Sequence, residues 1–348
     1  MDAQQTHLLE LRSRRVSFDD ADGLAATLRR WGAADALQLT RATGENWSLD
    51  AEVGALKFRS SFTSGRYHAR GGIPSGHVVL QFDYASDAPR RINGLSLGAD
   101  AYLVGNAGMQ FDLISSQHHH GMTLSLPLAL IIEALGRRVP GVEELIRPAS
   151  LQVVTRAAPR VANICALARS MVFQNEGPDC LGFSAFAYGD FVDALIGALT
   201  QAFQPGEASR GRTAPYQRLP IVRRVEEFMQ ANLAEPVQLH HLCVAGRASE
   251  RAVEYAFRDV YGVGAKQYLK LLRLNEVRRQ LKTLPPDVET VAEIAHRHGF
   301  WHMGHFSTGY RRLFGETPQS TRGRFDIFRP DLETSKSVQA GRSGLSLA

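Results

Sequence analysis

The chain reads as an α+β multidomain protein, with a β-rich first half, a helical stretch after it and an all-α C-terminal block. Three observations predict this. Between about 45 and 126, short apolar or alternating runs are separated by Gly, Pro, Asn and Ser turns, the pattern of strands. From 127 to 203 the apolar period lengthens to that of helices. From 218 to 325 the spacing is helical throughout and carries the same turn grammar twice, around one long helix.

In order, ALKFRSSF, HVVLQFDY, AYLVG, MQFDLIS and HGMTLSL are the expected strands. PLALIIEALGRRV opens on Pro127, which suits a first helical turn, and VANICALARSMVF and FVDALIGALTQAF follow with helical spacing. Residues 1–203 are therefore expected to form one domain whose helical part is 127–203. QPGEASRGRTAPYQ (204–217) mixes Pro, Gly, Ser and Arg without apolar periodicity and reads as a linker, and 326–348 as a flexible tail.

The longest apolar run, 124–136, is interrupted by Pro127 and Glu133. It falls short of the roughly 20 residues a bilayer-crossing helix needs. MDAQQTHLLELRSRR has no apolar core of the secretory kind, and Cys165, Cys180 and Cys243 are three spaced cysteines with no C-x-x-C. A cytoplasmic protein with no membrane partner, no disulfide framework and no zinc ribbon is expected.

Charge separates the halves. Residues 1–217 carry 20 Lys/Arg against 21 Asp/Glu, residues 218–325 carry 17 against 11, and the tail has three of each. The excess of +6 in the second block accounts for the net +5 of the chain, as expected if that block alone meets a polyanion.

Within that block, PIVRRVEEFMQANL (220–233) is amphipathic, with Ile221, Val225, Phe228 and Met229 on one face and Arg223, Arg224 and Glu227 on the other. A short helix at 238–245 then reaches Gly246, expected as the left-handed residue of a tight turn. Ser249 can cap a second helix in which Val253, Ala256 and Phe257 face inward. A long helix follows at about 265–284, closed by Pro285–Pro286. The grammar then recurs: Thr290 caps VAEIAHRH, Gly299 makes the turn, and 302–315 forms the second helix. Both units end on aromatic–basic–x–x–aromatic–Gly, FRDVYG and YRRLFG, which marks an internal duplication.

AHRHGFWHMGHF (295–306) holds four histidines, His296, His298, His302 and His305. Gly299 breaks the helix between His298 and His302, so that pair cannot share a helix face as H-x-x-x-H requires. His302 and His305 lie one turn apart, but no Cys or carboxylate nearby completes a tetrahedral set, and no metal site is expected.

These residues resemble a known family. VAEIAHRHGFWHMGHFSTGYRRLFGETPQSTR (291–322) looks like the C-terminal signature of AraC/XylS-type transcriptional regulators, with its A-x-x-x-G-F turn, F-G ending and T-P. SERAVEYAFRDVYGVGAKQYLKLLRLNEVRRQL (249–281) is similar to the family's first recognition helix and linker helix. Thr321 stands where the family commonly has Tyr, and Trp301 and His302 occupy turn positions usually held by small or polar residues. The resemblance covers about 105 residues at high specificity. Over residues 1–203 it is architectural only and implies a cupin-like β-barrel with a helical dimerisation element.

The resemblance implies a sequence-specific DNA-binding regulator, not an enzyme. Its partners would be double-stranded DNA, a second copy of the chain as homodimer, a small-molecule effector and, for an activator, RNA polymerase. It places Arg251, Glu254 and Tyr255 in the first unit, and Met303, His305 and Thr308 in the second, on the groove side. Arg251 can donate two bonds to guanine, Glu254 can accept from cytosine, and Met303 can pack on a thymine methyl. Tyr255 and Met303 are equally readable as core. Arg258, Arg311 and Arg312, further along the helices, suit phosphate contacts or ordinary solvated charge. The linker helix would hold the two readers about 34 Å apart, in adjacent major grooves.

In the first half, Leu195 and Leu199, four apart on one helix, are the expected dimer seam. Trp47, Phe62, Phe82 and Tyr84 are aromatic candidates for lining a ligand pocket, with barrel core as the plainer account. The metal-binding pattern of cupin enzymes, H-x-H with a following Glu and then a later His, is absent, since His68 and His77 lie nine positions apart and His118–His120 reads as a loop between strands. No catalytic residue and no cofactor are expected. A cupin-type metal enzyme or a DNA-repair protein carrying a DNA-binding domain is the alternative.

Overall fold

In a computed structural model of the protein, the described residues are 8–9, 11–98, 101–136, 151–154, 163–164, 166, 183–203 and 218–324. The expected linker (204–217), tail (326–348) and most of 137–182, including Cys165 and Cys180, lie outside them. The chain forms two compact units, Met1–Leu233 with Val237–Leu272, and Ala234–Pro236 with Arg273–Ala348.

The first unit holds two principal antiparallel sheets. The larger has seven strands in the order β13 (Leu151–Val154), β10 (Tyr102–Gly105), β7 (His77–Ser86), β12 (His119–Pro127), β5 (Leu56–Thr63), β4 (Asn46–Val53) and β2 (Leu11–Phe18). The smaller has five, in the order β3 (Ala33–Gln38), β6 (Tyr67–Gly72), β11 (Gln110–Ile114), β8 (Arg90–Ile92) and β9 (Leu95–Leu97). β1 (Leu8–Leu9) and β14 (Phe183–Ser184) make a separate ribbon. Among the described residues the large sheet ends on β13 and β2 without pairing them, so the expected barrel is corrected to an open sheet facing a smaller one.

Strand alternation sends successive side chains to opposite faces and so gives the large sheet two different surfaces. One buries Leu49, Phe58, Leu80, Phe82, Tyr102 and Leu124 beneath helices α2 (Leu128–Gly136) and α3 (Ala185–Phe203). The other faces the small sheet across a second core built on Ile73, Val79, Ile92, Leu97, Leu103 and Met109. The expected strands at 56–63, 77–86, 102–105, 110–114 and 119–127 form. Residues 11–38, which carry little periodicity of their own, add β2, the helix α1 (Ala21–Leu28) capped by Asp20, and β3.

Two expectations are overturned here. Leu195 and Leu199 are fully buried among Ile131, Leu135 and the sheet residues, within the chain's own core, so they cannot present a dimer seam. The histidine tract is not an exposed loop: only His118 is exposed, while His119 is buried at the start of β12 and His120 packs edge-on against Trp47 and Phe62.

Candidate nucleic-acid interface

The first helix-turn-helix is built from α4 (Leu219–Ala231), α5 (Leu239–Gly246), α6 (Glu250–Tyr261) and the start of α7 (Ala265–Thr283). Ser249 caps α6 by accepting from the Ala252 N–H, and Gly262 ends it in the left-handed conformation at φ 75°. The tight turn after α5 departs from expectation. Arg247, not Gly246, takes the left-handed conformation, at φ 51°. Gly246 is instead a packing glycine, since a Cβ there would stand 2.8 Å from Val225 Cγ2.

α6 buries Val253, Ala256, Phe257 and Val260 and leaves Arg251, Tyr255 and Arg258 outside. Tyr255 is 49% exposed, with the Arg251 guanidinium 5.3 Å and the Arg218 guanidinium 6.0 Å from its ring centre. An exposed aromatic between two cations suits a surface that meets bases and phosphates. Glu254 is half-buried, pairs with Arg258 at 3.7 Å and leans over Gly264. Its carboxylate is thus turned along the helix rather than presented like Arg251. Arg218 joins this surface from outside α6, where spacing gives no sign of it.

The second helix-turn-helix comprises α8 (Val291–Arg297) and α9 (Met303–Phe314), followed by α10 (Pro318–Arg322). Thr290 and Glu293 form a capping box, and Gly299 turns the chain at φ 77°, as expected. Phe306, Tyr310 and Leu313 are buried; His305, Thr308, Arg311 and Arg312 are exposed and Met303 is half-buried. Trp301 is 72% exposed and stacks on His296 at 5.7 Å. His302 and His305 meet edge to face at 6.1 Å, and no cluster of three metal-ligating side chains occurs among the described residues. His298 is buried in the turn, and burial lowers its pKa against the opposing pull of Glu276. Thr321 is also buried; it accepts from Tyr310 Oη at 2.8 Å and donates to Glu316 at 3.0 Å, closing a network with Arg278.

A model of the helix-turn-helix domain family matches residues 242–324. This region is a helix-turn-helix domain of the AraC/XylS type. The AraC-type domain is similar to the XylDLEGF operon transcriptional activator of Pseudomonas putida, 32% identical over 102 residues, which are 29% of this chain and 32% of that protein. The "Probable thc operon regulatory protein" of Rhodococcus erythropolis is 27% identical over 154 residues, 44% of this chain and 46% of its own length. The chain thus spans less than half the length of these curated relatives. A solved transcriptional regulator with an AraC-type DNA-binding domain, from Chromobacterium violaceum, is 28% identical, covering 30% of this chain and 92% of that one with a TM-score of 0.29.

Behind the first helix-turn-helix lies a buried polar network that the sequence did not signal. Glu226 of α4, 1% exposed, accepts from Tyr261 Oη at 2.6 Å and from Tyr268 Oη, and pairs with Arg70 of β6. His68, also on β6, meets Tyr268 Oη at 2.9 Å through Nδ1 and Asp112 of β11 at 2.8 Å through Nε2. Arg66 donates to the Tyr261 carbonyl at 3.1 Å. Burial raises the pKa of both tyrosines, so they act here as neutral donors. The small sheet and the first helix-turn-helix are therefore joined by charge-assisted hydrogen bonds, the stronger class of polar contact.

Among the described residues, none of the expected pocket residues lines the cavity found between the two sheets. Trp47, Phe62 and Phe82 belong to the helix-covered face of the large sheet, and the Tyr84 side chain is outside the described residues. The cavity, of about 60 Å³, opens on the opposite face, between the two sheets.

Proposed function

We propose that the protein is a transcriptional regulator that reads double-stranded DNA through both helix-turn-helix units, one in each of two adjacent major grooves. The observation that supports this best is the exposed face of each second helix in the AraC-type domain: Arg251, Tyr255 and Arg258 on α6, and His305, Thr308, Arg311 and Arg312 on α9, with half-buried Met303 at its start. The N-terminal residues of such helices reach base edges, while the arginines further along suit phosphates. Glu254 remains a reader only if it leaves Arg258.

In this reading the sheet half is a cupin-like sensor of a small molecule, and the working form is a homodimer whose contact lies away from Leu195 and Leu199. RNA polymerase is the further partner if the protein activates. The regulator names of the relatives favour this over a metal enzyme or DNA-repair protein, which stoichiometric metal in the purified protein would favour instead. The test is selection of duplex sequences from a randomised library, followed by titration at several salt concentrations. Enrichment of a two-part site spaced by one helical turn is expected; recovery of unselected sequence would sink the proposal.

A further inference from the structure

The cavity between the sheets has a chemistry the regulator reading does not use. Its walls are mostly apolar, from Ile73, Val79, Ile92, Leu103, Phe111 and Leu113. One lateral row of the large sheet crosses it: Asp50, Arg59, Thr123 and Gln81 stand side by side on β4, β5, β12 and β7. Arg59 is 3% exposed and lines the cavity, yet no acceptor among the described residues lies within hydrogen-bond reach of its Nη1 or Nη2. Its Nε stands 3.4 Å from Asp50 Oδ1, and Asp50 also accepts from the Trp31 indole N–H at 3.1 Å.

A buried guanidinium with both outer nitrogens unused is costly unless something accepts from them. Asp50 holds the Nε side, which leaves the planar fork open, the shape that matches a carboxylate in two parallel bonds. Burial draws the Arg59 pKa down to about 10, with Asp50 opposing and the nearby Arg30 adding to the fall, so the group stays charged at neutral pH. A space of about 60 Å³ equals room for about four waters. Half-buried Leu28 and Trp31 form its outer edge.

We propose that this cavity binds a small organic carboxylate of about two or three carbons, its anionic end on the Arg59 fork and its short tail among Leu103, Phe111 and Leu113. The proposal rests on the reading of the sheet half as a small-molecule sensor and names its ligand class. It also supplies a route to the DNA-binding region. On β11, Phe111 and Leu113 line the cavity, while Asp112 between them points the other way, onto His68 and toward Arg70 at 3.6 Å. A tail lodged against Phe111 and Leu113 therefore presses on the strand that anchors the Glu226 network of the first helix-turn-helix.

The experiment is calorimetric titration of the full chain with propionate and, separately, with propionamide, alongside melting curves with a panel of neutral metabolites. Propionate should bind at least about tenfold more tightly than the amide, since the pairing with Arg59 is between charges. Arg59→Met should remove that preference. Leu113→Phe, which keeps Arg59 but fills the space, should weaken both compounds, so a misfolded Arg59 variant does not leave the question open. Equal binding of acid and amide, or a preference that survives in well-folded Arg59→Met, overturns the assignment. A neutral metabolite that raises the melting temperature while carboxylates do nothing also overturns it and leaves the sensor reading standing. No response to either class overturns both.

Discussion

Arg251 and His305 stand first among the base-reading candidates because each is exposed near the start of its helix. Arg251→Ala and His305→Ala are each expected to cost about 1–3 kcal/mol of DNA affinity and to relax specificity at different base positions. Binding titrations against the selected site and its single-base variants would check this, and unchanged affinity in both would refute the groove assignment. Glu226 carries a different weight. Glu226→Leu takes the carboxylate from two buried tyrosine hydroxyls and from half-buried Arg70, which keeps Asp112 at 3.6 Å, and a loss of about 3 kcal/mol in urea unfolding is expected. Nothing in EE at 226–227 marks the first glutamate as buried and the second as exposed. That difference arises because β6 and β11 bring Arg70, His68 and Asp112 to one side of α4.

Asp112 gives this network a pH dependence whose sign is fixed. Burial pushes its pKa up, but the charge and hydrogen bond of His68, with Arg70, outweigh that and hold it below the ordinary aspartate value. The stability it contributes is complete above the unfolded pKa of about 3.9 and is lost as pH falls through the lower folded value. Wild type should therefore lose stability on acidification through that window, and Asp112→Asn should flatten the slope. Parallel acid unfolding curves of the two proteins would contradict this.

At the scale of elements, the two turns were equally legible as glycine turns, yet they use glycine differently. Gly299→Ala forces a side chain into φ 77° and is expected to cost about 1–2 kcal/mol. Gly246→Ala meets no such backbone penalty but drives a methyl toward Val225, an overpacking cost of about 1–3 kcal/mol. A compensating Val225→Ala should recover much of the second loss and none of the first, measured by thermal melts. For α3, Leu195→Asp places a carboxylate in the sheet core. The expected result is an unfolded or aggregated chain rather than a folded monomer, and a well-folded monomer by circular dichroism and sedimentation would reverse that conclusion. Helical spacing showed that Leu195 and Leu199 share a face; it could not show that the face is covered by the chain's own sheet.

For the whole molecule, the separation of charge into a neutral first part and a basic block of net +6 implies strongly salt-dependent DNA binding. Replacing any one of Arg258, Arg311 or Arg312 by Ala should weaken binding to all sequences alike and lower the salt slope by about 1, if it contacts phosphate. An unchanged slope would return that residue to ordinary solvated charge. No helix among the described residues is long and apolar enough to cross a membrane.

What the sequence determined is what local chemistry controls: strands from period-two runs, helix starts from Ser249 and Thr290, the left-handed turn at Gly299, and the repeated grammar of the AraC-type domain. Each depends on residues within a turn or two of one another, so a linear reading reaches them. What only the tertiary structure decided depends on which strands become neighbours. It opened the large sheet instead of closing a barrel, and it turned Phe82 to the helices and Arg59 to the cavity. It also brought His68, Arg70 and Asp112 against Glu226 and Tyr268, across as many as 200 positions of sequence. Strand order and the pairing of distant charges follow from how the whole core is filled, and no window of the sequence contains that information.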